Sequence, residues 1–301
     1  MMATPLSRIT DTTLAIEPLD APLGARVLGV DAREPWGADA QDAISSAFIE
    51  HHVLVFPGGP DRVIMDPAQM LAFSARFGAP ISEVNRSKRD GELPEVSHLI
   101  STITAREEDG DLKLQYQPAI RSAYFHTDQS FQAIPARATL LHAHEVPSYG
   151  GSTWFCDTAA AYDALPEEMH ERLAGLRAVH CYDSMRVPDR AAKRTQEEID
   201  DTPEVIHPLV RTHPESGRKA LYLNSNRLDR IVGKPRDESD ALLDKLYEWV
   251  AQDRFIYKHT WRVGDTVVWD NRCTLHRVEY DSPAGERRVM LRVVTRGDRP
   301  V

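Results

Sequence analysis

Short apolar runs broken by turn residues set the rhythm of this chain, and a few stretches switch to the longer period of helices. Around residues 15–30, brief apolar runs interrupted by Pro and Gly predict a strand pair. Residues 39–51 place Ile44 and Phe48 on one helical face, and VLVF (53–56) follows as a buried strand ending at Pro57, Gly58 and Gly59. Asp66 and Pro67 read as an N-cap and a first helical residue; Met70, Phe73 and Phe77 carry that helix onward, and Gly78 ends it. Residues 82–122 contain the charged runs NRSKRDGELPE and TAREEDGDLK and few large apolar residues. They predict a long loop, either a solvated excursion or an active-site lid.

From residue 123 strands dominate: AYF, ATLLHAHEV, STWFC, KALYLN, RFIYKHTW, DTVVWD and RRVMLRVVT. Two helices interrupt them. One starts near Pro166 and carries Met169, Leu173 and Leu176; the other starts about Asp237 and carries Leu242, Leu246 and Trp249. Strands and helices do not alternate strictly, which argues against a doubly wound parallel sheet. Many short strands with intervening turns predict a mainly β fold with flanking helices, a two-sheet jelly roll. No repeat or low-complexity segment divides the chain, so residues 1–301 are expected to form a single domain.

Charge narrows the partners. The 36 basic and 46 acidic side chains leave a net charge of -10, which argues against nucleic acid or an anionic membrane surface. A small anionic substrate stays open, because a pocket can be basic on an acidic protein. No apolar run approaches the roughly 20 residues of a membrane helix, and the N-terminal stretch lacks the apolar core of a signal peptide. Cys156, Cys181 and Cys273 are widely spaced, without CxxC, and suggest free thiols in a reducing cytoplasm. Cys273 reads as a small buried hydrophobe rather than a nucleophile. Homo-oligomers are left open.

The candidate chemistry begins at YFHTDQSF, where His126 and Asp128 lie two apart and, on a strand, would share one face. Alone this is a weak signal, since chance accounts for as many His-x-acid pairs as the chain holds. The other pair, His213-Pro-Glu215 in HPESGRK, reads as a solvated hairpin tip. The first pair gains weight from His276, in WDNRCTLHR just after an apolar strand. Two histidines and a carboxylate with open positions make the facial triad of non-haem Fe(II) oxygenases. Arg288 follows His276 by twelve residues. Its planar fork suits a dicarboxylate, and the Thr153 hydroxyl can bond the same group. Neighbours on a strand face opposite sides, so only one of Arg287 and Arg288 can point inward. Arg292, four residues past Arg288, shares its face.

The order HTDxxF, GGxT, WDNRxxxH and RRxMxR resembles the taurine dioxygenase and 2,4-dichlorophenoxyacetate dioxygenase family, over nearly the whole chain. The early HHVLVFPGG and LAFSARFG segments are similar to that family's N-terminal elements. The resemblance implies a cupin-like double-stranded β-helix. It implies Fe(II) on His126, Asp128 and His276, with 2-oxoglutarate as co-substrate on Thr153 and Arg288, and O2 as oxidant. It sets Arg292 facing the anionic group of a small-molecule substrate. Taurine dioxygenases resemble N-x-x-W-H-T-D before the triad, whereas Ser122 stands in the asparagine's place here, so taurine is a poor first guess. Ser122 and Tyr124 join Arg292 as candidate substrate contacts, with Phe125 and Tyr116 as apolar walls and Lys88, Arg89, Arg106, Lys113 and Arg121 as nearby cations. The expected reaction is hydroxylation with release of succinate and CO2, and cleavage where the hydroxylated carbon bears O, N or S. The alternatives are a cupin-fold metal-dependent hydrolase or isomerase, for which Arg288 has no use, and a non-catalytic cupin-like binding protein.

Overall fold

The computed structural model describes residues 13–58, 64–81, 101–105, 124–187, 196–283 and 285–301. The chain opens with an antiparallel hairpin, β1 (Ala15–Pro18) and β2 (Ala25–Leu28), where the sequence predicts a strand pair. Helix α1 (Ala38–His51), strand β3 (Val53–Phe56), helix α2 (Pro67–Ser74) and the short β4 (Pro80–Ile81) follow. Strand β5 (Ser101–Ala105) precedes the long central β6 (Ala136–Glu145). Then come β7 (Thr153–Asp157), helices α3 (Thr158–Asp163) and α4 (Glu167–Leu173), β8 (Arg177–His180) and helix α5 (Gln196–Asp200). Four short strands, β9 (Val205–Pro208), β10 (Val210–Thr212), β11 (Lys219–Leu221) and β12 (Leu228–Ile231), lead to helix α6 (Arg236–Val250). The chain ends in β13 (Ile256–His259), β14 (Thr266–Asp270), β15 (Thr274–Val278) and β16 (Arg288–Arg296).

The large sheet runs β1-β2-β3-β14-β6-β16-β4, with β5 also on β16; a smaller sheet runs β13-β7-β15. Their facing sides make a jelly roll, as the strand-rich pattern predicts. Every residue of β3 is buried because both faces of the large sheet are covered. Val53 and Val55 pack inward with Leu141, Val267, Trp269, Met290 and Phe155. Leu54 and Phe56 pack outward against Ile44 and Phe48 of α1 and Met70 and Phe73 of α2. The period of two therefore sorts each strand into an interior and a helix-covered face. The small sheet does the same: Phe155 faces the interior, while Cys156 and Leu275 face Leu242, Leu243 and Leu246 of α6.

Helix α2 starts as its sequence predicts. The Asp66 side chain accepts from the Gln69 backbone N–H at 2.8 Å, and Gln69 Oε1 accepts from the Asp66 N–H at 3.0 Å, a reciprocal capping box with Pro67 at the first position. Asp66→Ala is expected to lower stability by about 1 kcal/mol. A urea midpoint unchanged from the parent would show that the cap is not what holds this helix.

Two expectations need correction. Within 82–122, residues Ser101–Ala105 are a strand, not loop, paired antiparallel with β16 so that Ala105 faces Arg288 and Ser101 faces Arg292. STITA is β-prone but polar and flanked by charge, so only the docking of its backbone on β16 reveals it. The rest of 82–122 lies outside the described residues. Tyr124 and Phe125 of the AYF run are not in a strand either. Only His126 pairs, in an isolated bridge to His276, and Asp128 sits in the turn that follows. Side chains take over the role of the ladder there: Asn224 Nδ2 donates to the Thr127 carbonyl at 2.6 Å, and the Ser225 hydroxyl donates to the Phe125 carbonyl. No helix among the described residues is long and apolar enough to cross a membrane.

Candidate active site

Strand β15 turns Leu275 toward α6, so its neighbour His276 points into the jelly roll. His126 is clamped beside it by reciprocal backbone bonds, His126 N–H to His276 O at 3.0 Å and His276 N–H to His126 O at 2.8 Å. The two imidazole centroids lie 4.2 Å apart. Asp128 enters from the turn, with Oδ2 3.8 Å from His276 Nε2. One ligand-capable atom from each of the three lies within 4.8 Å of the others. His126 and Asp128 thus converge as the sequence suggests, but through a bridge and a turn rather than one strand face.

The donor set fits Fe(II). His126 Nδ1 lies 2.8 Å from the Tyr124 carbonyl, which fixes the Nδ1–H tautomer and leaves the Nε2 lone pair for a metal. Burial lowers the pKa of His126 and holds that of His276 well below the ordinary value, with His126 adding to the second effect. Both imidazoles are therefore in the neutral, metal-binding form. Burial raises the Asp128 pKa, because nothing in the interior solvates an anion as water does. Arg292 Nη2 stands 2.8 Å from Asp128 Oδ1 as its counter-charge. Two imidazoles, one carboxylate and open positions are the ligand set of non-haem Fe(II).

Thr153 and Arg288 meet on the same interior. Arg288 alternates along β16 with Val289 and precedes the interior Met290, while Leu291 and Val293 pack outward. Its Nε donates to the Gly151 carbonyl at 3.1 Å and its Nη2 to Thr153 Oγ1 at 3.4 Å. Thr153 Oγ1 also accepts from Trp261 Nε1 at 2.9 Å. Arg288 is 6% exposed, and no carboxylate of the described residues pairs with it. Burial brings its pKa down to about 10. Arg287 points the other way and pairs with Glu145 at 3.2 Å on the surface. The double glycine has a steric reason. A Cβ on Gly150 (φ 74°) would sit 2.6 Å from the Asp281 carbonyl oxygen, and one on Gly151 (φ 65°) 3.2 Å from Arg288 Cδ.

The substrate candidates fare unevenly. Arg292 reaches the interior but is engaged with Asp128. Tyr124 lies next to the triad with 51% of its surface exposed, and Phe125 is half-buried. Ser122, Tyr116, Lys88, Arg89, Arg106, Lys113 and Arg121 lie outside the described residues.

Sequence reasoning missed Thr139, Asn271 and Trp261, which touch site residues from behind. Asn271 sits inside WDNR and Trp261 follows a strand, but Thr139 in the apolar run ATLLHAHEV carries no signal of its own. His213 is a correction: it is buried, not solvated. Its Nδ1 accepts from the Ser216 N–H at 3.1 Å, so its Nε2–H donates to Asp270 Oδ2 at 3.1 Å. Burial opposes the charge on Asp270, but the Arg272 guanidinium beside it holds the carboxyl well below the usual range. Glu215 pairs with Arg272 and Arg137. The hairpin tip packs against the end of β14, which the local turn pattern does not reveal. His213, Asp270 and Cys273 also lie close together, but Arg272 already fills the cation's place on Asp270. Cys273 is buried with Ala159 and Ala220, as a small hydrophobe would be.

The sequence profile of the family described as "Taurine catabolism dioxygenase TauD, TfdA family" matches residues 15–294. The chain belongs to this family. Among TauD, TfdA relatives, it is 36% identical over 299 residues to the alpha-ketoglutarate-dependent 2,4-dichlorophenoxyacetate dioxygenase of Cupriavidus pinatubonensis, covering 95% of this chain and 99% of that one. It is 32% identical over 274 residues to the (S)-phenoxypropionate/alpha-ketoglutarate-dioxygenase of Delftia acidovorans, covering 89% and 90%. The crystal structure of AAD-2 in complex with Mn(II) and N-oxalylglycine superposes with a TM-score of 0.80 at 32% identity, covering 96% and 98%. As a TauD, TfdA member the protein is a non-haem iron dioxygenase that depends on Fe(II), 2-oxoglutarate and O2. The hydrolase, isomerase and binding-protein alternatives are set aside.

Proposed function

We propose that this dioxygenase hydroxylates a small organic carboxylate. In this reading His126, Asp128 and His276 hold Fe(II), Thr153 and Arg288 hold the far carboxylate of 2-oxoglutarate, and Arg292 meets the substrate's anionic end. The observation that carries the co-substrate assignment is Arg288, a buried guanidinium beside an inward hydroxyl, with no carboxylate partner among the described residues, and the interior Arg292 beside the triad supports an anionic substrate. A buried charge without a counter-charge is unfavourable, so the site favours an anionic ligand.

When bound together, iron, 2-oxoglutarate and O2 supply the oxidising power that converts C–H to C–OH while 2-oxoglutarate leaves as succinate and CO2. The protein's own residues bind and orient. His126 and His276 present neutral nitrogens, Asp128 adds a negative charge, and Phe155, Trp269 and Met290 wall the interior against water. Thr153 and Arg288 set the direction in which the co-substrate lies. Where the hydroxylated carbon carries an ether oxygen, the hemiacetal product collapses to an alcohol and a carbonyl, so hydroxylation becomes cleavage. The phenoxy-acid names of the two relatives support aryloxy-carboxylates as the first compounds to try. Three free thiols, Cys156, Cys181 and Cys273, support a reducing cytoplasm as the compartment.

The test has two parts. Succinate formation, with Fe(II) and 2-oxoglutarate present, is expected to rise above the uncoupled background with an aryloxy-carboxylate and not with its neutral amide. Calorimetry without O2 is expected to show the same preference, and Arg292→Met to reduce carboxylate binding by about tenfold or more, the worth of one charge-assisted hydrogen bond. Equal affinity for matched neutral and anionic compounds, or an unchanged Arg292→Met variant, would rule out the carboxylate.

A further inference from the structure

Thr139 is an anomaly of the central strand. On β6 its neighbours Ala138 and Leu140 pack outward and Leu141 and Ala143 inward, so Thr139 puts a hydroxyl on the interior face. It is fully buried in the middle of a sheet, paired with Trp269 on one side and Val294 on the other. A buried hydroxyl needs partners, and this one has two. Thr139 Oγ1 lies 2.6 Å from Asp128 Oδ2 and 2.9 Å from Asn271 Nδ2. Asn271 Oδ1 lies 3.2 Å from the backbone N of Asp128. The contacts close a ring that leaves Asp128 by its amide and returns to it at its carboxylate.

The direction of every proton in the ring follows from one group. A backbone N–H can only donate, so the Asn271 atom facing it is the carbonyl oxygen. The Asn271 amide nitrogen therefore faces Thr139 and donates to its hydroxyl. With a lone pair so occupied, the Thr139 proton points at Asp128 Oδ2. The other oxygen, Oδ1, receives Arg292. Both carboxylate oxygens are thus held by donors, and the carboxylate plane cannot turn.

We propose that Thr139 and Asn271 are positioning residues for the metal, a hydrogen-bond ring that fixes the rotation of the Asp128 carboxylate and so the lone pair it offers to Fe(II). This rests on the reading of Asp128 as a metal ligand. Outer partners of this kind are worth 10–100-fold in metal affinity. Neither residue touches the metal, 2-oxoglutarate or substrate in this account, and each acts through Asp128.

The experiment measures Mn(II) affinity of the metal-free protein by calorimetry, without O2, 2-oxoglutarate or substrate, beside the melting temperature of the same metal-free samples. Thr139→Val keeps the shape and removes the donor. It is expected to weaken Mn(II) binding 10–100-fold while the metal-free melting temperature stays near the parent's. Thr139→Ser restores the hydroxyl and is expected to restore the affinity. Parent-level affinity in Thr139→Val overturns the proposal, and so does a Thr139→Ser variant as weak as Thr139→Val, which would make the loss one of packing. Should Thr139→Val fail to fold, Asn271→Ala asks the same question by removing the donor behind the hydroxyl, and undiminished affinity there overturns it equally. Asp128→Ala separates the two layers. If it binds Mn(II) as the parent does, the ligand assignment itself falls; if it loses binding while Thr139→Val does not, only the ring falls.

Discussion

Turnover is expected to fall to background when His276 is replaced by alanine, and likewise for His126. Each supplies one of three donor atoms gathered within 4.8 Å, and a divalent metal held by two of them loses a large part of its binding energy. The bridge that aligns the two residues is made by their backbone N–H and C=O groups, not their rings, so alanine at either position leaves it in place. Among the described residues His276 Nδ1 has no hydrogen-bond partner, so no bond to them is broken on that side when the ring goes. The fold should therefore survive with a loss of about 1–3 kcal/mol, the ordinary range for a buried substitution. Succinate production and Mn(II) calorimetry, run beside circular-dichroism melting, check this. Activity near the parent level in either variant, with the protein folded, would sink the triad.

The second large effect separates two adjacent arginines. Arg288→Ala should raise the 2-oxoglutarate requirement by roughly 10²–10⁴-fold, because a carboxylate drawn into a buried site would lose its partner, a loss of about 3–5 kcal/mol. Arg287→Ala should change it little, since Arg287 makes a surface pair with Glu145, and such pairs are worth about 0–1 kcal/mol. The reading predicts a shift confined to the 2-oxoglutarate titration, with Fe(II) binding kept. A mild Arg288→Ala beside a severe Arg287→Ala would mean that the inward face of β16 is misassigned.

The two predictions differ in how much of them the sequence carries. Arg288 and Arg292 share a face because they are four apart on a strand, which holds for any regular β16. Local patterning likewise specified α1 through Ile44 and Phe48, the N-cap at Asp66 with Pro67 after it, and VLVF as a buried strand, because each depends on residues within a turn or two of one another. Pairing that depends on distant backbone left little local trace. β5 looks like loop, and only its docking on β16 makes it a strand. His213 looks like an exposed tip, and only Asp270, across the fold, buries it.

By itself, the sequence determined the architecture and the chemistry: strand-rich periodicity, and the three donors and one inward arginine whose types suit Fe(II) and a dicarboxylate. The tertiary structure alone decided how those groups are presented. His126 and Asp128 come together with His276 from a bridge and a turn that Asn224, Ser225 and Asn271 hold in shape. Arg292 leans on Asp128, and a threonine in an apolar run completes a ring around the same carboxylate. The physical reason is range. Propensity and periodicity act over a few residues, whereas a buried hydrogen bond is satisfied by whichever strand the fold brings within about 3 Å.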